Sequence, residues 1–395
     1  MRTAIINGKI YADGLIIESG YLVFENGIIT SIGQGEYDEI ADQILDVNGR
    51  SILPGLIDIQ VNGCGGASIS DMSVDSFATI STTLVKYGVT SYIGAIDSKL
   101  VNNKTLDNKV VLKLINNNQF GAKLLGFHLE GPFINQEKIG ANDKLTIREP
   151  DIDYLKQIQT DLCGEIKIMT MAPELNGALK VIAQASNNGI VVGIGHSLAT
   201  FDEAYKAFDN GAVLATHMLN AMNGIQAREP GIIGALIEHE NVFGSLICDG
   251  NHVNPTVIKL LYRALTAEKL IVITDSALTA GTEQTSWTLN GHNVIVNKDT
   301  CFLEDGTIAG SNLMLSRSIK NFRKYSGCGI NEAIKVGSEN PAKALHLYDR
   351  MGGIAVGKYA DVIVLNDENT YEVSHTFVNG ELKYLSQGKY PWGLN

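Results

Sequence analysis

The 395-residue sequence contains no apolar run approaching the roughly 18 residues a membrane-spanning helix needs. Its first residues, MRTAIINGKIYADG, lack the apolar core of a secretion signal and alternate as a strand does. Cysteine is sparse: Cys64, Cys163, Cys248, Cys301 and Cys328 are odd in number, scattered, and include no CxxC pair. Neither a disulfide framework nor a zinc knuckle is expected from them. Positive charge is also short, with 31 basic against 43 acidic residues and a net charge of −12. Such a field repels nucleic acid and anionic membrane surfaces, so any anionic ligand must be held by a few local groups. No GxxxxGK[ST] loop offers a ready phosphate cradle, and there is no tandem repeat or low-complexity segment. These absences point to a cytoplasmic setting and a small-molecule partner, with no nucleic acid and no membrane involved.

What the chain does have is 45% hydrophobic residues, enough to bury a large core beside a smaller one. Residues 1 to 53 read as short strands, TAIINGKIY, LIIESGYLVFENGIITSIG and ADQILDVNGRSIL, with NG, DG and SG as turn signals. From Leu56 onward, apolar strands alternate with segments of helical period. The strands are LIDIQV, TSYIGAI, KLLGFHLE, IKIMTMA, IVVGIGH, AVLATHM, FGSLICD and LIVITD. Between them lie helix candidates such as VDSFATISTTLVKYG, NGALKVIAQASNNG, TFDEAYKAFDNG and NPTVIKLLYRALTAEK, several ending on the glycine expected just past a helix C-terminus. Eight such units over roughly 220 to 290 residues fit a (β/α)8 TIM barrel in count and size, with a doubly wound sheet as the alternative. After Asp275 the pattern loosens; SNLMLSRSIKNFRKYS and ENPAKALHL then lead to GKYADVIVLNDE and TYEVSHTFVNGELKY, which match the opening strands in length and alternation. The expected α/β architecture is therefore a barrel over 54–349 and one small β domain built by 1–53 and 350–395 together.

In such a barrel the chemistry gathers where the strands end, because the βα loops converge there. Those positions carry Gln60 and Asn62 after strand 1, His128 and Glu130 on strand 3, and His196 and His217 after strands 5 and 6. Asp249 and His252 follow strand 7, and Asp275 follows strand 8. Four of the chain's eight histidines thus fall on one rim. A single histidine after a strand is more often a hydrogen-bonded loop residue than a ligand. A carboxylate ending an apolar run such as KLLGFHLE, however, must be paired or metal-bound if it is buried. Two carboxylates and several imidazoles on one rim would cost desolvation energy unless a cation gathered them. Two imidazoles and one carboxylate form the open zinc set, so Glu130, His196 and His217 are the expected ligands of one divalent metal. Zn2+ comes first, with Fe2+, Mn2+ or Co2+ as alternatives, and Asp275 is the expected acid/base. His128, on the same strand face as Glu130, is the weaker ligand candidate and is expected rather to fill the barrel or back the ligands. Arg228, in AREPG, is the best anion ligand because a guanidinium grips phosphate oxygens two at a time; paired with Glu229 at the surface it would have no such role.

The segments PGLIDIQVNG, HLEGPF, GIGHS, THMLNAM, REPG, CDGNHV and ITDS, followed by DGTIAGS, ENPAKAL and GGIAVGKYADVIVLN, span essentially the whole chain. Together they resemble the amidohydrolase superfamily and, within it, the N-acetylglucosamine-6-phosphate deacetylases. The resemblance implies a barrel flanked by a β-sandwich made from both termini, usually as a homodimer. It implies hydrolysis of the N-acetyl amide of N-acetylglucosamine 6-phosphate to glucosamine 6-phosphate and acetate. Many amidohydrolases carry a His-x-His pair after strand 1 for a second metal, and here Gln60 and Asn62 stand in its place. Neutral amides are poor zinc ligands beside imidazole. The resemblance accordingly implies a one-metal site, leaving both amides to hydrogen-bond water or substrate, unless Gln60 merely closes the top layer of the barrel. It further implies amide contacts from Asn220 and Ala221, a phosphate or sugar contact from His252, and a backbone contact from Ile308. Arg228 and His252 would serve a neighbouring subunit's site.

One loop departs from the relatives, which commonly follow EGPF with Gly-Ala-His or Gly-Thr-His, the histidine facing the acetyl carbonyl. Here IGAND places Ala141 and Asn142 there. Asparagine donates a hydrogen bond but cannot become cationic as the carbonyl oxygen gains charge. N-acetylgalactosamine 6-phosphate is therefore the alternative substrate. A cyclic amide or deaminatable ring is the rival within the superfamily, and an inert sugar-phosphate sensor the rival outside catalysis.

Overall fold

The computed structural model of the chain describes residues 1–97, 108–116 and 120–386. The last nine residues of the expected terminal β domain, 387–395, lie outside the described residues. Eight parallel strands pair in sequence order: Leu56–Val61, Val89–Asp97, Lys123–Glu130, Ile166–Met171, Val191–Ile194, Ala212–Ala215, Phe243–Ile247 and Leu270–Ile273. They are numbered here as barrel strands 1 to 8. A helix follows each one, from Val74–Val85 after strand 1 to Pro255–Leu265 after strand 7 and Leu315–Ser326 after strand 8. Capping explains where several of these helices start. Ser73 accepts the Ser76 N–H ahead of the first helix, and Thr200 with Glu203 forms a capping box ahead of Phe201–Asp209.

Strands buried on both faces read as continuous apolar runs, and strand 1, LIDIQV, is buried at every position. One cluster draws on the whole ring, including Ile59, Ile93, Leu125, Ile168, Val191, Leu214, Ile247 and Ile273, and fills the barrel. A second, larger cluster packs the outward strand faces against the helices, among them Phe77, Ile158, Ile182, Ala207, Leu236, Ile258 and Phe322. Strands 5 and 6 stop at Ile194 and Ala215, before the ends suggested by IVVGIGH and AVLATHM. The backbone leaves the extended region at His196 (φ 47°) and His217 (φ 31°). The ring closes between strands 8 and 1 at its C-terminal end. There Asp275 N–H donates to Gln60 O (3.0 Å) and Asn62 N–H to Ser276 O (3.0 Å). Just below, the buried Asp58 carboxylate accepts the Thr274 hydroxyl at 2.6 Å. Burial pushes the Asp58 carboxyl up to about 7.

Both chain ends build a second sheet, as the alternation of their sequences predicts. Its order runs Glu381–Leu385, Glu372–Val378, Val362–Asp367, Ser51–Pro54, Arg2–Ala12, Leu15–Glu25, Ile28–Gln34, with Gln43–Asp46 also pairing with Arg2–Ala12. Its own core includes Ile5, Leu22, Phe24, Ile52, Val362 and Phe377. Asp13–Gly14 and Asn26–Gly27 make turns, but Ser19–Gly20 lies inside a strand. A Cβ on Gly20 would sit 2.3 Å from Gly33 O, so that glycine serves close strand approach. The buried pair Lys123–Asp361 (2.6 Å) ties the start of strand 3 to this sheet.

One element lies where the sequence pattern loosens. Between strand 8 and its helix, Ser286–Leu289, His292–Asn297, Thr300–Leu303 and Ile308–Ser311 form a four-stranded antiparallel insert. Its signal was present in WTLNGHNVIV and LEDGTI, where NG and DG sit between alternating runs. Among the described residues no helix is long and apolar enough to cross a membrane.

Candidate metal centre

Glu130 ends strand 3, while His196 and His217 follow strands 5 and 6, and their ligand atoms lie within 4.8 Å of one another. His196 Nε2 is 2.7 Å from Glu130 Oε1, and His217 Nε2 is 3.8 Å from the same oxygen. The two rings meet edge to face, with centroids 4.9 Å apart. His196 Nδ1 donates to the carbonyl of Lys138 at 2.7 Å. That bond leaves Nε2 as a lone pair aimed at a carboxylate oxygen, and Nε2 is buried without a hydrogen-bond partner among the described residues. Two acceptors this close repel unless positive charge lies with them. A divalent cation satisfies both, and two nitrogens with one oxygen is the donor set of an open metal site, so these residues fit such an ion. Without such an ion the rings must carry the positive charge themselves, and their charge and hydrogen bonding then outweigh burial and hold the Glu130 carboxyl well below the usual range.

Asp275 lies beside this cluster in the left-handed region, at φ 48°. Like His196 and His217, it is held in a conformation that costs a non-glycine residue energy, a feature that marks functional sites. Its neighbours hold it there: Ser311 N–H donates to its carbonyl (2.9 Å), and a Cβ on Gly310 would come within 3.0 Å of that same oxygen. Gln60 Nε2 donates both to Glu130 Oε2 (2.8 Å) and to Asp275 Oδ1 (3.2 Å), while Asn62 Nδ2 donates to Asp275 Oδ1 (2.7 Å). The two amides therefore bind carboxylates, and Gln60 bridges them. Burial, then the charge of Glu130, raises the Asp275 carboxyl; His217, His252 and the Asn62 bond oppose the rise. A base must be ionised to take a proton, so activity falls as pH drops through this value. Asn62→Leu removes a bond to the ionised form and raises the carboxyl further. The acid limb of the kcat/KM–pH profile should then move to higher pH, and an unmoved limb would separate that limb from Asp275.

These groups open on a cleft of about 450 Å3. Ala141 and Asn142 line it from the loop after strand 3, Asn220 and Ala221 from the loop after strand 6, His252 from strand 7 and Ile308 from the insert. Asn142 Nδ2 donates to Ile139 O (3.1 Å) and reaches Glu130 Oε1 (3.4 Å), which places it at the metal end. Arg228 is exposed and stands off the cleft. It is not paired with Glu229, whose Oε1 accepts the backbone N–H groups of Phe201 (2.7 Å) and Gly231 (3.0 Å). His128 stays out of the ligand set: Nδ1 donates to Ile59 O (3.3 Å) and Nε2 accepts from Thr170 Oγ1 (2.7 Å). Burial pulls its ring down to about 4. Sequence reasoning passed over Lys138, whose backbone orients His196, and the insert residues Trp287, Leu289 and Asn290 on the cleft wall.

A barrel with two histidines and a glutamate gathered at its C-terminal rim, beside a lone aspartate after strand 8, defines a metal-dependent hydrolase of the amidohydrolase type. The Amidohydrolase family model matches residues 51–383, and the chain belongs to that family. Within it, the chain groups with the N-acetylglucosamine-6-phosphate deacetylases. It is 33% identical to the Bacillus subtilis (strain 168) enzyme of that name over 387 residues, covering 96% of each chain. It is 30% identical to the Homo sapiens one over 388 residues, covering 95% of this chain and 92% of that one. The crystal structure of the Pasteurella multocida deacetylase superposes with a TM-score of 0.88 at 31% identity, covering 97% of this chain and 99% of that one. A Mycobacterium smegmatis variant, solved in complex with N-acetyl-D-glucosamine-6-phosphate, superposes with a TM-score of 0.87 at 26% identity and the same coverage.

Proposed function

We propose that the chain hydrolyses the N-acetyl amide of N-acetylglucosamine 6-phosphate, with Glu130, His196 and His217 as metal ligands and Asp275 as the acid/base. The observation that carries this reading is the half-buried, raised Asp275 carboxyl beside the three-ligand cluster on the cleft. When bound, one divalent ion, Zn2+ by donor set, polarises the acetyl carbonyl and lowers the pKa of a water towards ~7. Ionised Asp275 takes the proton of that water as its oxygen adds to the acetyl carbon and the carbonyl π pair moves onto oxygen. Asn142, at the Glu130 end of the cleft, is the side chain offered to that oxygen. Asp275, now protonated and favoured in that form by burial and the charge of Glu130, returns the proton to nitrogen as the C–N bond breaks.

Gln60 orients Asp275 against Glu130, and Asn62 holds the ionised form of the base. Ala141, Asn220, Ala221, His252 and Ile308 are assigned to the sugar phosphate because all line the cleft, which puts His252 with this chain's own site instead of a neighbouring subunit's. Arg228, exposed and off this cleft, fits service to a second subunit's site in a homodimer. Residues 54–349 are assigned as the catalytic barrel and 1–53 with 350–395 as the accompanying β domain. A cytoplasmic location suits the unpaired cysteines.

Acetate release from metal-loaded protein tests this reading. N-acetylglucosamine 6-phosphate should exceed N-acetylglucosamine in kcat/KM by about 100-fold, the worth of two charge-assisted contacts. Equal rates would remove the phosphate from the substrate. A faster reaction with N-acetylgalactosamine 6-phosphate would reassign the epimer, a change that Asn142 in place of histidine makes worth measuring.

A further inference from the structure

We infer that Asp249 is a positioning residue for the anionic end of the substrate: it turns His252 to the cleft, fixes its ring there, and clips both to the insert through Thr300. This rests on the phosphorylated substrate proposed above. Asp249 follows strand 7, and its fully buried carboxylate accepts four hydrogen bonds. Oδ2 takes His252 Nδ1–H (2.6 Å) and the Thr300 hydroxyl (2.6 Å). Oδ1 takes the backbone N–H groups of Asn251 (2.9 Å) and His252 (2.8 Å). Burial would raise this carboxyl, but the His252 bond and its companions outweigh it and keep it below the usual range.

The cleft creates the need for this arrangement. It holds Glu130, Glu137 and Asp275, and the sole lysine or arginine among its described lining residues is Lys138. A dianion entering it requires a donor. With Nδ1–H committed to Asp249, Nε2 is the ring atom left to face the ligand, and its direction is set by the carboxylate behind the ring. Thr300 lies in the same insert as Ile308–Ser311, whose first residues wall the cleft, so one carboxylate links the anion contact to that wall.

Asp249→Asn keeps the volume while removing the charge, and its single oxygen serves only one of the two donor pairs: facing His252 Nδ1–H and Thr300, it sets its own N–H groups against the backbone N–H groups of Asn251 and His252. KM for N-acetylglucosamine 6-phosphate should rise about 10-fold with kcat nearly unchanged, and turnover of N-acetylglucosamine should not move. Thr300→Val, which leaves Asp249 ionised and guards against a variant that does not fold, should raise the same KM about threefold. In a His252→Gln background Asp249→Asn should add nothing further. Inorganic phosphate should protect the wild type against thermal unfolding and Asp249→Asn much less, a readout that needs no turnover. An unchanged KM in both variants, a fall in kcat for both substrates alike, or additivity with His252→Gln overturns the inference. If the wild type itself shows no preference for the phosphorylated sugar, the substrate proposal fails, and the phosphate protection measurement still decides the role of Asp249.

Discussion

Asp275→Asn is expected to lower kcat by about 10³-fold or more while leaving the protein folded, metal-loaded and able to bind substrate. The substitution keeps the volume of the side chain, and the new amide oxygen can still accept from Asn62 and Gln60, which meet Oδ1 at 2.7 and 3.2 Å. It takes away the lone pair that receives the water proton and the proton later given to the leaving amine. Both halves of the reaction lose their carrier. The surroundings should not collapse, because backbone bonds hold the residue: its N–H donates to Gln60 O and its carbonyl accepts from Ser311 N–H. Substrate affinity becomes measurable by calorimetry, since the bound sugar is not consumed, and elemental analysis should report the metal content of the wild type. Turnover within tenfold of the wild type would remove Asp275 from the role of base.

The barrel was legible because its physics repeats. A parallel strand buried on both faces must be an apolar run, and eight such runs separated by helical periods leave few architectures. Strand 1 and strand 3 coincide with LIDIQV and KLLGFHLE to the residue. The rim was legible for the same reason: a glutamate ending a buried run has to be compensated, and the two histidines that meet it each follow a buried run of their own, strands 5 and 6. The insert was hidden because its strands are short and mostly exposed, so no apolar run announces them; burial along Ser286–Leu289 alternates between exposed and half-buried. Gln60 shows a different limit. Strand periodicity places it at the rim, but a single nitrogen serving two carboxylates depends on how strands 1, 3 and 8 approach one another, which no local pattern encodes. Asp249 likewise reads as a loop aspartate until the distant Thr300 is folded against it.

Glu130→Gln is expected to cost the metal itself. Oε1 of Glu130 is the atom both imidazoles face, at 2.7 and 3.8 Å, and Oε2 accepts the Gln60 amide at 2.8 Å. A glutamine has one oxygen for these two duties. With its oxygen towards the imidazoles it offers a neutral, weaker ligand and sets its own N–H groups against the Gln60 donor; turned round, it meets Gln60 well and presents N–H groups to the ion. Either orientation leaves a buried group mismatched. Metal affinity should fall more than the 10–100-fold seen when only an outer partner of a ligand is lost, and activity should fall with it. Elemental analysis after dialysis should find little metal, and titration with Zn2+ should restore part of the activity at high concentration. That partial rescue separates the two carboxylates: excess metal repairs an empty site but not a missing base, so it should revive Glu130→Gln and leave Asp275→Asn inactive. Full occupancy at stoichiometric metal would refute Glu130 as a ligand.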